Sequence, residues 1–258
     1  MHSSLPTLVA LSWSLLPLGE LTESPRRVEA TAVYDGHFLC LYANGSIQAW
    51  NLKTWKSAKD VAVQFARDGL RAIASDRDKL WAVDGKTVYQ WAAKDKQWKK
   101  LAAYDAEGEW VVSIIPVGGT PYLVFPAKVV DPTREKGGMF PYPAMIDLFC
   151  ESPLRILATH GSESKVWIGT GNGEWGGTLI GFDPKTGKWV SSRDGGGYVT
   201  GITHSEKDEV IVSWSMSHFA ASTRIVDHKA DATVKTKHPG MFKKYYQCVA
   251  YNPHDELL

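Results

Sequence analysis

The side chains best suited to chemistry in this sequence fall in a few loops rich in glycine and aromatic residues. Gly171-Asn172-Gly173-Glu174-Trp175-Gly176-Gly177 frames one acid and one indole with four glycines. Glycine lets backbone approach a ligand closely, the indole offers a broad apolar face, and the carboxylate offers directional acceptors. Ser215 to Phe219 carries His218 and Phe219, Arg193 to Tyr198 places three glycines before Tyr198, and Asp131 to Gly138 carries Arg134 ahead of Phe140. Trp175, Phe219, Tyr198 and Phe140 as anchors, with Glu174 and Arg134 for polar specificity and His218 beside Phe219, make a candidate ligand-binding set. The competing reading is packing, with Glu174 capping loop amides and Trp175 filling space. A different chemistry, glycoside cleavage, needs two carboxylates facing each other, for which Asp131, Glu135, Glu174 and Asp194 are available.

No G-x-S-x-G elbow, H-E-x-x-H pair or phosphate loop occurs, so no catalytic residue is assigned. Cys40, Cys150 and Cys248 lack C-x-x-C spacing, which argues for free thiols over a zinc site or disulfide framework. His160 and His204 each follow a Thr and lie one repeat apart. That recurrence favours a structural role at a hairpin, since a metal site would need a third converging ligand. No metal and no cofactor are expected.

The elements that must carry these loops are strands in a repeating unit. FLCLYANGSIQAW, KLWAVDGKTVYQW and KVWIGTGNGEWGGTLIGF each read as apolar strand, glycine turn and second strand ending in an aromatic. Preceding β-rich runs, such as Ala72 to Ala74 and Val199 to Thr203, join these strands through polar turns, and a further turn recurs at Lys53-Thr54, Lys94-Asp95-Lys96 and Asp183 to Gly187. Four short strands per unit of roughly 40 to 47 residues is the period of a β-propeller blade. Helical periodicity is nearly absent, Ala58 to Asp68 being the best candidate.

Val166-Trp167-Ile168-Gly169-Thr170, followed by Gly181-Phe182-Asp183-Pro184-Lys185-Thr186-Gly187-Lys188-Trp189, resembles the repeat of bacterial ligand-binding propellers, among them the two-component-regulator and quinoprotein-like repeats. The resemblance covers one blade well and Leu80 to Trp98 more loosely, and no Trp-Asp dipeptide closes a blade as in a WD40 array. It implies an all-β propeller and a binding habit without implying a reaction.

The expected architecture is a single propeller domain of about six four-stranded blades. Blades fall near 28–69, 70–108, 109–153, 154–197 and 198–245, with a sixth at 246–258 completed by 5–21. The alternative is a fragment of a larger propeller. An open half blade would expose a sticky edge. Leu5 to Leu18 is apolar enough to suggest a signal-like segment but lacks preceding Lys or Arg, so the compartment stays open between cytoplasmic and extracytoplasmic. Within each blade the loops joining second to third strands share a face with the links between blades. Ala127 to Pro143, read as such a loop, joins 171–177, 215–219 and 193–198 there.

Composition bounds the partners. With 29 Lys plus Arg against 28 Asp plus Glu, the net charge of +1 gives no electrostatic case for nucleic acid or anionic membranes. No apolar run reaches transmembrane length. The expectation is a monomeric, non-enzymatic binding propeller with a scaffold or immunity-like role, recognising a protein, small ligand or carbohydrate. The alternative is a polysaccharide hydrolase or lyase using Glu174 and a second acid.

Overall fold

Alternating apolar residues bounded by turn formers fold into antiparallel strands in the computed structural model. It describes residues 27–58, 69–76, 78–134, 138–143, 155–171, 176–192, 198–204, 209–216, 220–226, 236–237 and 241–242. Strands β1 (Val28–Tyr34), β2 (His37–Tyr42) and β3 (Ile47–Asn51) form a three-stranded meander. A four-stranded meander follows, of β4 (Ala72–Asp76), β5 (Lys79–Val83), β6 (Thr87–Ala92) and β7 (Gln97–Ala103). The next holds β8 (Ser113–Val117), β9 (Thr120–Val124), β10 (Lys128–Val130) and β11 (Met139–Pro141). The fourth holds β12 (Ile156–Gly161), β13 (Val166–Thr170), β14 (Leu179–Asp183) and β15 (Lys188–Ser192). The last holds β16 (Tyr198–His204), β17 (Val210–Met216) and β18 (Ala220–Val226), whose outer edge pairs with both β19 (Thr236–Lys237) and β20 (Met241–Phe242).

Turn chemistry explains the hairpins. Asp35-Gly36 and Gly118-Gly119 both take positive φ at both central positions, the backbone of a type I′ turn whose twist matches the strands. Asn51, Asp84 and Asp183 each end or follow a strand and accept two amides from residues two and three further on, the Asx turn.

The described residues hold four sheets of four strands or more and one of three, so four blades are complete, which corrects the expected six. The proposed sixth, 246–258 with 5–21, lies outside the described residues, as does 59–68 of the helical candidate. A second correction concerns Ala127 to Pro143. It is not one loop, because Lys128–Val130 and Met139–Pro141 are strands, so Asp131 to Gly138 joins third and fourth strands instead of second and third. A three-residue strand led by a buried lysine and followed by Asp131-Pro132 carries too little alternation to be read as one.

The chain divides into two compact units, Met1–Phe125 with Val130–Gly138, and Pro126–Val129 with Met139–Leu258. In the first, Leu39 and Leu41 pack against Ile73, Leu80 and Ala82, and Trp81, Val83 and Val88 pack with Ile114, Leu123 and Phe125. Successive first strands, β1 with β4 and β4 with β8, lie side by side. Cys40 is buried with a free thiol, and burial pushes its pKa up to about 11. In the second unit Trp167 and Leu179 pack against Val199, Ile202, Val212 and Trp214 between neighbouring sheets. Strand β13 is buried along its whole length, so it reads as a continuous apolar run.

Candidate functional site

The 171–177 loop leaves the sheet between β13 and β14, and the residues at its neck are well defined. The Thr170 amide donates to the Thr178 carbonyl at 3.0 Å, and the Thr178 amide donates to Thr170 Oγ1 at 2.9 Å. The Thr170 hydroxyl also reaches the Thr178 carbonyl, at 3.2 Å. Both threonines are buried, so these bonds are made out of water, where an unmet donor is costly.

The flanking glycines are there for space. A Cβ on Gly171 would come within 2.3 Å of Leu157 Cδ1 and 2.6 Å of Tyr198 Cβ. One on Gly177 would come within 2.1 Å of the Thr170 carbonyl oxygen and 2.9 Å of Tyr198 Cα. The neck therefore lies directly on the first residues of β12 and β16. Leu157 is 39% exposed there and Tyr198 is half-buried. The Gly171 amide donates to the Arg155 carbonyl at 3.0 Å and ties the neck to the start of β12.

Of the residues singled out in the sequence, Tyr198 is thus brought against the glycine loop. Glu174, Trp175, His218 and Phe219 lie outside the described residues. Phe140 packs on Phe182 with ring centroids 4.6 Å apart, Phe182 on Trp189 at 4.5 Å, and Tyr142 on Trp189 at 5.3 Å. This aromatic row fastens β11 to β14 and β15, so the Phe140 ring is engaged in packing. Arg134 donates through Nε to Asp131 Oδ2 at 3.0 Å, while Asp131 Oδ1 accepts the Thr133 amide at 3.0 Å and hydroxyl at 2.6 Å. The Asp131 carboxylate is buried and used on both oxygens, and Glu135 and Asp194 lie with Glu174 outside the described residues. Sequence reasoning missed Thr170, Thr178 and Leu157. The available signal was two threonines placed symmetrically outside the glycines.

His160 and His204 do meet, with Nε2 of the first 2.5 Å from Nδ1 of the second. Among the described residues no three His, Cys, Asp or Glu side chains cluster as a metal site would require, and no helix is long and apolar enough to cross a membrane.

No family model and no curated protein sequence matches the chain. Solved structures do. The extracellular domain of BT4673 from B. thetaiotaomicron, described as a one-component system, aligns with a TM-score of 0.60 at 14% identity. The alignment covers 92% of this chain and 32% of that one, so the sequence spans about a third of that protein's length. The β-propeller domain of Cps50 (Swd1) from Myceliophteria thermophila aligns at 0.60 and 15% identity over 86% of this chain and 73% of that one. The WD40 repeats of RRP9 align at 0.62 and 8% identity over 88% and 70%. The fold is a β-propeller. At these identities the likeness concerns the propeller fold alone. The propeller's meandering blades put the ends of first strands beside the loops between second and third strands, which is the geometry at Tyr198 and the 171–177 neck.

Proposed function

We propose that this propeller is a binding module that recognises a protein or small ligand, carbohydrate included, through the face carrying the 171–177 loop, in a scaffold or immunity-like role. The observation that carries this reading is the fastened neck. Buried threonine bonds and glycines packed on Leu157 and Tyr198 fix both ends of a loop whose middle carries Glu174 and Trp175. A loop held at its base presents its tip at low entropic cost on binding. Tyr198 starts β16 against the flanking glycines Gly171 and Gly177, and His218 and Phe219 follow β17, whose Ser215 pairs with Tyr198. The propeller neighbours are compatible with such a role.

The test compares the parent chain with a Glu174→Ala/Trp175→Ala double variant, in capture from the cells that express it and on a glycan array. The expected result is a partner retained by the parent and lost by the double variant, with the thermal midpoint of the two within a few degrees. A double variant that still captures the partner, or that does not fold, removes these residues from any recognition role.

A further inference from the structure

His160 stands near the end of β12 and His204 at the end of β16, in the same Thr-His context 44 residues apart. These first strands of neighbouring sheets pack side by side, and the two rings meet with centroids 4.8 Å apart and planes at 44°. Nε2 of His160 faces Nδ1 of His204 at 2.5 Å. That spacing is shorter than the roughly 2.7–3.2 Å of an ordinary N–H hydrogen bond, and it has room for one hydrogen and not for two. One ring nitrogen must donate and the other accept. A neutral pair meets that condition, and so does a pair with one ring charged, whose bond is the stronger, charge-assisted kind. A pair with both rings charged does not, because an imidazolium carries hydrogen on both nitrogens.

We propose that His160 and His204 form an acid-sensitive latch between β12 and β16, closed while the facing nitrogens share one proton and opened when both rings are charged. The strands it joins are those under the neck of the glycine loop, since Gly171 packs against Leu157 of β12 and Tyr198 of β16. His204 is exposed and His160 half-buried, so protons reach the pair from solvent. The flanking strands β13 and β17 carry no titratable side chain. The charged groups nearest along the chain are Glu163 and Lys165 in the turn after β12, and Glu209 just before β17. Lys165 also interacts with Asp183 of β14, and Glu206, Lys207 and Asp208 lie outside the described residues. In the unfolded chain both imidazoles take protons as pH falls through their ordinary value near about 6.5. In the folded chain the closed latch admits only one of the two. The unfolded chain then binds more protons, so stability rises with pH through this range and is lost on acidification.

The test compares thermal midpoints of the full chain at about pH 7.5 and about pH 5.0, which bracket the imidazole range and stay above that of ordinary carboxylates. On acidification the parent is expected to lose about 2–4 °C more than His160→Gln or His204→Gln, in which the remaining ring charges without a clash. His37→Gln should behave as the parent. Nuclear magnetic resonance of the parent gives a reading that needs no variant to fold, by following the two rings together with hydrogen exchange of the Gly171 amide, which is bonded to the Arg155 carbonyl. The rings should hold one added proton while that amide stays protected, and take a second only as its protection, corrected for the intrinsic rate, is lost. Both rings fully charged with Gly171 still protected, or an equal acid loss in the parent and both folded variants, would overturn the latch.

Discussion

Thr170 and Thr178 clasp each other across the neck of the glycine loop, each using its backbone and Thr170 adding its hydroxyl as both donor and acceptor. Valine keeps the shape of threonine but has no hydroxyl, so Thr170→Val leaves the buried Thr178 amide without its acceptor. The expected loss is about 1–3 kcal/mol of unfolding free energy, read from urea denaturation, with Thr170→Ser recovering part of it. A Thr170→Val chain as stable as the parent would show that the hydroxyl contributes nothing to the neck.

The turn after the third strand repeats across blades with a different residue at its left-handed position. Trp55, Lys96 and Gly187 occupy it with φ of 53°, 49° and 68°. A residue with a Cβ is strained there and glycine is not. Lys96→Gly keeps the turn's backbone bond from residue 96 to Ala93 and leaves the Asp95–Lys99 ion pair untouched. It should therefore stabilise the chain by about 0.5–1 kcal/mol, less than the full strain because glycine also loosens the unfolded chain. Gly187→Ala should cost about 1 kcal/mol. Thermal midpoints moving in these opposite directions would bear this out, and Lys96→Gly lowering the midpoint would contradict it.

Asp183 is the group whose titration should register in stability. Partial burial raises its pKa, but the Thr186 and Lys185 amides and the Thr186 hydroxyl outweigh burial and hold the carboxyl below its usual value. The folded pKa is depressed, so the contribution is fully present above the unfolded value near about 3.9 and is lost as pH falls through the lower folded value. Asp183→Ala should cost about 1 kcal/mol at neutral pH, and the gap to the parent should close under acid. Urea titrations at several pH values check it, and a gap constant down to the acid limit would mean the charge plays no part.

Much of the fold was legible because it is written in local chemistry. Lys53-Thr54 and Asp183 to Gly187 are readable as turns, and in the structure Asn51 and Asp183 close them as Asx turns with their own side chains. Lys128–Val130 was not legible. Three residues give no period, and burial on both faces removes the alternation that marks a strand. Arg134 was grouped with the wrong loops for that reason.

The site divides in the same way. Tyr198 could be suspected from its glycines, but its contact with Gly171 and Gly177 depends on how two sheets lie against each other. Phe140 is legible as an aromatic beside a loop, and its packing on Phe182 depends on how β11 lies in the fold.

By itself the sequence determined an all-β chain of repeating antiparallel units, because strand period and turn formers act over neighbouring residues. The tertiary structure decided how many blades are complete, that His160 meets His204 across 44 residues, and that the glycine loop rests on Leu157 and Tyr198. Those are contacts between distant elements. They arise from the angle and offset at which sheets pack, and hydrophobic periodicity carries neither quantity.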